Sequence, residues 1–324
     1  MEEINVLSLF DGISCGHVAL DRAGIKVNKY YASEINENCI KITQKNYPKT
    51  IQLGDVRCLS ALPFTNKSHK IDLLMGGSPC QDLSIAGTRK GLNGDRSCLF
   101  WEYVRFLEYI TPKYFLFENV ASMKKEDMDT ITKTLGVEPV MINSALVSAQ
   151  TRKRLYWTNI GHVGQPEDKG ILLKDILESG IAPQNKSYAL TETYHKAAFS
   201  DFVKKHTRTM IAEKPQKLGY LKGLKDSQAN RVYSINAKSV CLNANGGGGG
   251  AKTGLYKIDL PDGDYVIRKL TPIECERLQT LPDNYTYGVA NSHRYKALGN
   301  GWTVDVIAHI LKGIKENEER KECN

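Results

Sequence analysis

The amino-acid sequence predicts an α/β fold of Rossmann-like type with a small inserted domain. Three observations predict it. Short apolar runs alternate with helix-spaced runs through the first half, glycines and acids recur where the apolar runs end, and one long polar stretch interrupts the pattern before order returns. Alternation of this kind builds a doubly wound, parallel sheet whose strands are joined by crossover helices.

Asn5 to Phe10 is short and apolar and reads as the first strand, and Gly16 to Ala23 has helical spacing. Lys29 to Glu34 reads as strand, Asn36 to Asn46 as helix and Ile51 to Val56 as a short strand. Ile71 to Gly76 is apolar throughout, as a strand covered on both faces would be. Ser97 to Ile110 sets Phe100, Val104 and Leu107 at helical steps; Tyr114 to Val120 and Leu155 to Asn159 return to strand. From about Gly161 to Tyr265 the chain is polar, basic and irregular. The glycine run Gly246 to Gly250 within it can hold neither helix nor strand. Order returns over Leu270 to Leu281, where Thr271 is placed to cap a helix, Pro272 to open it and Glu274 to complete a capping box. Gly301 to Lys315 is again helix-like, and the charged tail Glu316 to Asn324 is expected to fray. The implied boundaries are 1–180 for the main domain, 181–289 for the inserted domain and 290–324 for a segment completing the first.

The 324 residues suffice for one large core and a smaller second one, and no apolar run is long enough to cross a bilayer. The acidic start, Met1 to Asn5, is unlike a signal peptide, so an intracellular, cytoplasmic location is expected. A net charge of +8 suits an anionic partner such as nucleic acid without requiring one. The eight cysteines lack C-x-x-C spacing and histidines at ligand spacing, so no metal site is expected.

Phe10-Asp11-Gly12-Ile13-Ser14-Cys15-Gly16 links the first strand to the first helix, where glycines and a helix N-terminus let a ligand approach backbone amides. Glu34, about twenty residues further on, is placed to hold ribose hydroxyls, and Asp55 to take an adenine amino group. An adenosine is common to NAD and S-adenosylmethionine. The G-x-x-x-G spacing lacks the pyrophosphate glycine of dinucleotide binders and favours S-adenosylmethionine. At the carboxyl ends of the fourth and fifth strands and just before the next, Gly76-Gly77-Ser78-Pro79-Cys80-Gln81, Glu118-Asn119-Val120 and Gln150-Thr151-Arg152-Lys153-Arg154 bring a thiol, a carboxyl and two guanidinium groups to one sheet edge. That set suits methylation of cytosine at carbon 5. A thiolate adds to C6 and makes the ring enamine-like, a carboxyl at N3 and the exocyclic amine stabilises the developing charge, and an arginine does the same at O2. The plainer alternative for the Glu and Arg residues is an ion pair tying strand ends together.

With these motifs in order, together with Arg268 to Pro282 and Gly299-Asn300, the sequence resembles the DNA cytosine-5 methyltransferases over almost its whole length. Leu7 to Gly12 and Gly77 to Ser84 resemble the vertebrate de novo enzymes, and the second half resembles small bacterial and phage enzymes of restriction–modification type. The resemblance implies Cys80 as nucleophile, Glu118 on the flipped cytosine, Arg154 on its O2, and Arg152 bracing Glu118 or a phosphate. It implies a cofactor site lined by Phe10, Asp11, Gly12, Ile13, Glu34, Ile35, Asp55, Val56, Pro79, Asn300 and Trp302, with Trp302 packed on the methionine part of S-adenosylmethionine. Gln81 to Leu99 corresponds to a catalytic loop whose Ser84, Arg89, Lys90 and Arg96 meet DNA. Gln228, Arg231, Asn245, Gly246, Gly247 and Gly248 correspond to recognition loops reading double-stranded DNA around a flipped base. Asp82-Leu83, Ala86 and Gly301 depart from the family pattern, and Ala86 bears on how the loop tip enters the duplex. The implied protein is a monomer on DNA in a bacterial or phage-infected cell, with a restriction endonuclease as possible partner. A tRNA cytosine methyltransferase, an NAD-dependent oxidoreductase and a non-catalytic DNA-binding relative are the alternatives. Absence of a Cys-Phe-Thr signature, the glycine spacing, and the presence of Cys80, Glu118 and Arg154 weigh against them in turn.

Overall fold

The computed structural model describes residues 3–65, 69–78, 99–161, 163–180, 182, 184–197, 208–213, 232–233, 255–256 and 266–322. The chain divides into two compact units, one of 1–176, 186–196 and 271–324, the other of 177–185 and 197–270.

The first unit is built on a seven-stranded sheet of order β3-β2-β1-β4-β5-β7-β6. Its strands are β1 (Ile4–Leu9), β2 (Val27–Ser33), β3 (Ile51–Gln52), β4 (Leu73–Gly76), β5 (Tyr114–Val120), β6 (Val140–Asn143) and β7 (Lys153–Thr158). Helices α1 (Cys15–Ala23), α2 (Glu37–Asn46), α3 (Leu99–Ile110) and α4 (Lys125–Leu135) fall between strands. Every residue of β4 and of β5 is buried, which explains the apolar sequence of β4 and of β5 as far as Phe117; Glu118 and Asn119 are the polar exceptions. Phe117 of β5 packs on Phe100, Tyr103 and Trp157, with ring centroids 4.8–5.9 Å apart. These rings anchor α3 to the sheet through one large patch of buried area.

The sheet corrects the expectation of wholly parallel pairing. β7 runs antiparallel to both β5 and β6. Residues 144–152 join β6 to β7 through a short 3₁₀ turn, too little chain for a crossover helix, so the strand must return in the opposite sense. The third strand is also shorter than expected. Gly54 turns the chain at φ 78°, and Asp55 then caps a 3₁₀ turn over Val56–Cys58 by accepting from the Arg57 amide.

The C-terminal part adds α5 (Leu173–Ile176), α6 (Pro272–Leu278), α7 (Asn291–Asn300) and α8 (Val304–Glu322). The capping box at Thr271 and Glu274 forms as the sequence predicts. The tail expected to fray instead continues α8 to Glu322. Glu318 explains this, because its carboxylate pairs with Lys113 Nζ at 2.6 Å and accepts from the Tyr114 hydroxyl at 2.6 Å, fastening the last turns beside β5. Residues 271–289, read from sequence as part of the inserted domain, belong to the first unit. Tyr285 donates its hydroxyl to the Ile13 carbonyl at 2.7 Å, and Gln279 donates to the Leu298 carbonyl at 2.6 Å.

In the second unit, β8 (Met210–Glu213) pairs antiparallel with β11 (Val266–Lys269), and β9 (Val232–Tyr233) pairs parallel with β10 (Leu255–Tyr256). No described helix is long and apolar enough to cross a membrane.

Candidate active site

In the first unit the chain winds outward from β1 in both directions, through β2 and β3 on one side and β4 and β5 on the other. The crevice outside the carboxyl ends of β1 and β4 is therefore the topological switch point, where open α/β sheets bind ligands. The loops that emerge there carry most of the residues singled out from sequence.

After β1 the backbone is tightly constrained. Phe10 and Ser14 take left-handed φ values of 57° and 56°, and Gly12 one of 62°. Such conformations cost free energy in residues with a side chain and persist where surrounding bonds impose them. Here Asp11 supplies the bonds: it accepts from the Tyr30 hydroxyl at 2.7 Å and from the Ser14 hydroxyl. Burial pushes the Asp11 carboxyl above its usual range, opposed by hydrogen bonds from Ser14, Ser8 and Tyr30.

Glu34, at the end of β2, accepts from the Gly12 amide at 2.8 Å and from the amides of Ile35 and Asn36 at 2.9 and 2.8 Å. Its carboxylate thus ties the β1 loop to the β2 loop. Ile35 is 68% exposed beside it, an apolar face of the kind a planar ring covers. Asp55 is gripped by the Arg57 guanidinium, with Nη2 at 2.5 Å, and this bond holds its carboxyl down to about 2. Val56 behind it is buried.

The other half of the crevice is made by β4, β5 and β7. Glu118 on β5 is buried and pairs with Arg154 Nε of β7 at 2.9 Å. The antiparallel register, which sets Glu118 opposite Tyr156 and Val120 opposite Arg154, brings the two side chains together. Asn119 donates to the carbonyl and hydroxyl of Ser78 at 3.3 Å each, fixing the chain just past β4. Ser78 is the last described residue before Cys80.

The resemblance implies that Arg152 braces Glu118 or a phosphate. Arg152 is 5% exposed, and its guanidinium donates to the carbonyls of Leu190, Gly299 and Gly301 at 2.9–3.2 Å. It therefore fixes the turn that carries Asn300 and Trp302, a positioning role that the sequence motif did not separate from a catalytic one. Gln150 and Gln279, both buried, extend this support. Gln150 donates to Gln279 Oε1 at 3.2 Å, and Gln279 Nε2 donates to the Gly301 carbonyl at 3.1 Å. Gln279 and Thr303, which donates to it at 2.9 Å, were missed from sequence, since nothing in a lone polar residue announces a partner far along the chain. Asn300 is exposed at the end of α7. Trp302 is half-buried, and its indole N–H donates to Glu118 Oε2 at 3.1 Å.

Of the described cysteines, Cys15 and Cys39 are buried and burial pushes both thiols up to about 12, so neither supplies a thiolate near neutrality. Cys275 is buried and Cys58 exposed. Pro79, Cys80, Ser84, Arg89, Lys90, Arg96, Gln228, Arg231, Asn245, Gly246, Gly247 and Gly248 lie outside the described residues.

Comparison with known proteins agrees with this geometry. The model of the C-5 cytosine-specific DNA methylase family matches residues 4–316. The type II methyltransferase M.HpaII of Haemophilus parainfluenzae is 29% identical, over 97% of this chain and 90% of its own. M.HhaI of Haemophilus parahaemolyticus, also a type II methyltransferase, is 26% identical over 96% and 94%. Among solved structures, the methyltransferase EhMeth of Entamoeba histolytica shares the fold with a TM-score of 0.68 at 17% identity, covering 98% of this chain and 99% of its own.

Proposed function

The chain belongs to the C-5 cytosine-specific DNA methylase family, a DNA cytosine-5-methyltransferase, and from that premise we propose a covalent mechanism on a flipped-out cytosine of duplex DNA with S-adenosylmethionine as methyl donor. The observation that carries the proposal is the Glu118–Arg154 pair at the switch-point crevice, beside the Gly77-Ser78 segment that leads into Cys80.

The donor set after β1, β2 and β3 fits an adenosyl cofactor. Gly12 leaves open space where a side chain would stand, Glu34 offers a carboxylate for ribose hydroxyls, and Ile35 offers an apolar face for a purine. Phe10, Asp11, Ile13, Asp55, Val56, Pro79, Asn300 and Trp302 complete the proposed set. S-adenosylmethionine, when bound, supplies an electrophilic methyl group to C5.

The Cys80 thiolate adds to C6, forming the S–C6 bond and moving the ring's electron pair toward C5. Glu118 bridges N3 and the exocyclic amine and stabilises the charge that addition creates. Arg154 does the same at O2 and keeps Glu118 oriented. After methylation, which releases S-adenosylhomocysteine, water accepts the C5 proton, the electron pair of that C–H bond re-forms the C5–C6 double bond, and the S–C6 bond breaks to return the thiolate. Ser84, Arg89, Lys90 and Arg96 meet the DNA backbone in this reading, and Gln228, Arg231 and Asn245 with Gly246, Gly247 and Gly248 read its bases. A monomer on DNA, in a modification system with or without a partner endonuclease, completes the proposal.

Incubation of unmodified genomic DNA with S-adenosylmethionine, followed by bisulfite-type sequencing, is expected to reveal protected cytosines within one short motif. Cys80→Ser is expected to abolish methylation while DNA binding persists, and a 5-fluorocytosine duplex is expected to trap the unsubstituted chain through Cys80. An adduct on any other cysteine, or substantial activity in Cys80→Ser, refutes the nucleophile assignment.

A further inference from the structure

Trp302 lies in the turn between α7 and α8, and its indole N–H donates to Glu118 Oε2 at 3.1 Å. Arg154 Nε holds the other oxygen, Oε1, at 2.9 Å. Each carboxylate oxygen can accept about two hydrogen bonds. The two donors therefore fix the plane of the group and leave acceptor capacity on both oxygens. They come from distant parts of the sequence, β7, which is held by sheet pairing, and the 299–302 turn, which is held by Arg152 and Gln279.

Gly77 keeps the space for this arrangement. A Cβ there would lie 2.8 Å from Glu118 Oε2 and 3.2 Å from Trp302 Nε1. Gly77 is not among the residues of positive φ, so room, not backbone conformation, is what requires glycine.

We infer that Trp302 is a positioning residue for Glu118, and that Gly77 preserves the gap in which their hydrogen bond forms. The inference rests on the reading that Glu118 contacts the target base. A carboxylate already locked by two fixed donors loses no further rotamer freedom when the base arrives, and small errors in such positioning translate into large losses of rate. Trp302 thereby acts on the chemical step through Glu118, a role distinct from the cofactor packing that the sequence alone implies.

The test uses the full chain, S-adenosylmethionine and a duplex carrying the target motif in unmethylated form, in single-turnover and steady-state assays. Trp302→Phe, which keeps a ring and removes the donor, is expected to lower the methyl-transfer rate constant about tenfold, with KM for cofactor and DNA changed less than about twofold. In a Glu118→Ala background the same substitution is expected to cost less than about twofold, because the acceptor through which it acts is gone. Gly77→Ala, which crowds the bond from β4, is expected to reproduce the loss, and it decides the matter if Trp302→Phe fails to fold. An unchanged rate constant in Trp302→Phe, or an equal loss with and without the Glu118 carboxylate, overturns the positioning role. So does a raised KM for cofactor at unchanged kcat, which would make Trp302 a cofactor contact alone. No methylation by the unsubstituted chain overturns the function reading, and the positioning role with it.

Discussion

Gly299→Ala tests whether the turn that supports the candidate site is as tightly built as its geometry implies. A Cβ at Gly299 would fall well under 3.0 Å from the carbonyl carbon and oxygen of Thr191 and from the Glu192 nitrogen. Ordinary carbon contacts sit near 3.5–4.0 Å, and these obstacles are backbone atoms that no rotamer change can move aside. The chain at 191–192 or at 299 must therefore shift. Overpacking of this kind costs about 1–3 kcal/mol, and displacement of the Gly299 carbonyl from Arg152 Nη2, 3.2 Å away, weakens a charge-assisted bond of about 1.5–3 kcal/mol. The two losses overlap, and about 3 kcal/mol is the expected total. At about 2.1 cal/mol/K of unfolding entropy per residue over 324 residues, that lowers Tm by roughly 4–5 °C. The same shift moves Asn300 and Trp302, so single-turnover methylation should fall at least about tenfold. Thermal unfolding followed by circular dichroism measures the first effect. Gly164→Ala is the control, because among the described residues nothing lies within 4 Å of a Cβ placed on Gly164, and its φ is not positive. Its Tm should stay within about 0.5 kcal/mol equivalent of the parent. Equal Tm values for the two variants would refute the packing argument.

Two further outcomes follow from groups outside the site. The buried Glu276–Arg294 pair, at 2.9 Å, holds the 284–286 turn against α7, with Glu276 also accepting from the Asn284 and Thr286 amides. Arg294→Met leaves that carboxylate with backbone donors but no counter-charge and should cost about 3 kcal/mol in urea unfolding; a change under about 1 kcal/mol would mean the pair contributes little. His17 is stacked between Tyr30 and Tyr47, at 4.3 and 3.8 Å, its buried Nδ1 has no hydrogen-bond partner among the described residues, and burial pulls its pKa down to about 4. Between about 4 and 6.5 the unfolded chain binds this proton and the folded chain does not, so stability rises with pH through that window and is lost on acidification. The ring is only partly buried, so about 1 kcal/mol is expected. His17→Phe keeps the stack and should flatten the Tm profile between pH 6.5 and 4; parallel profiles would refute the assignment.

The sequence by itself determined the α/β class, the strand ends that carry the motifs, the capping box at Thr271 and the family. Each of these depends on local spacing. Short apolar runs and helical spacing mark the elements, and a glycine or acid just past an apolar run marks a strand end whatever lies elsewhere in the chain. Tertiary structure alone decided the antiparallel sense of β7, which is what sets Arg154 against Glu118. It also decided that the charged tail stays helical as far as Glu322, because Lys113 and Tyr114 meet Glu318 across the fold. It separated two arginines that look equivalent in the motif, sending Arg152 to the carbonyls of Leu190, Gly299 and Gly301 and Arg154 to the carboxylate. The bond from Trp302 to Glu118 spans 184 residues. No local pattern encodes such a pairing, because it exists only once the sheet and the C-terminal helices have packed and brought the two side chains within hydrogen-bond reach.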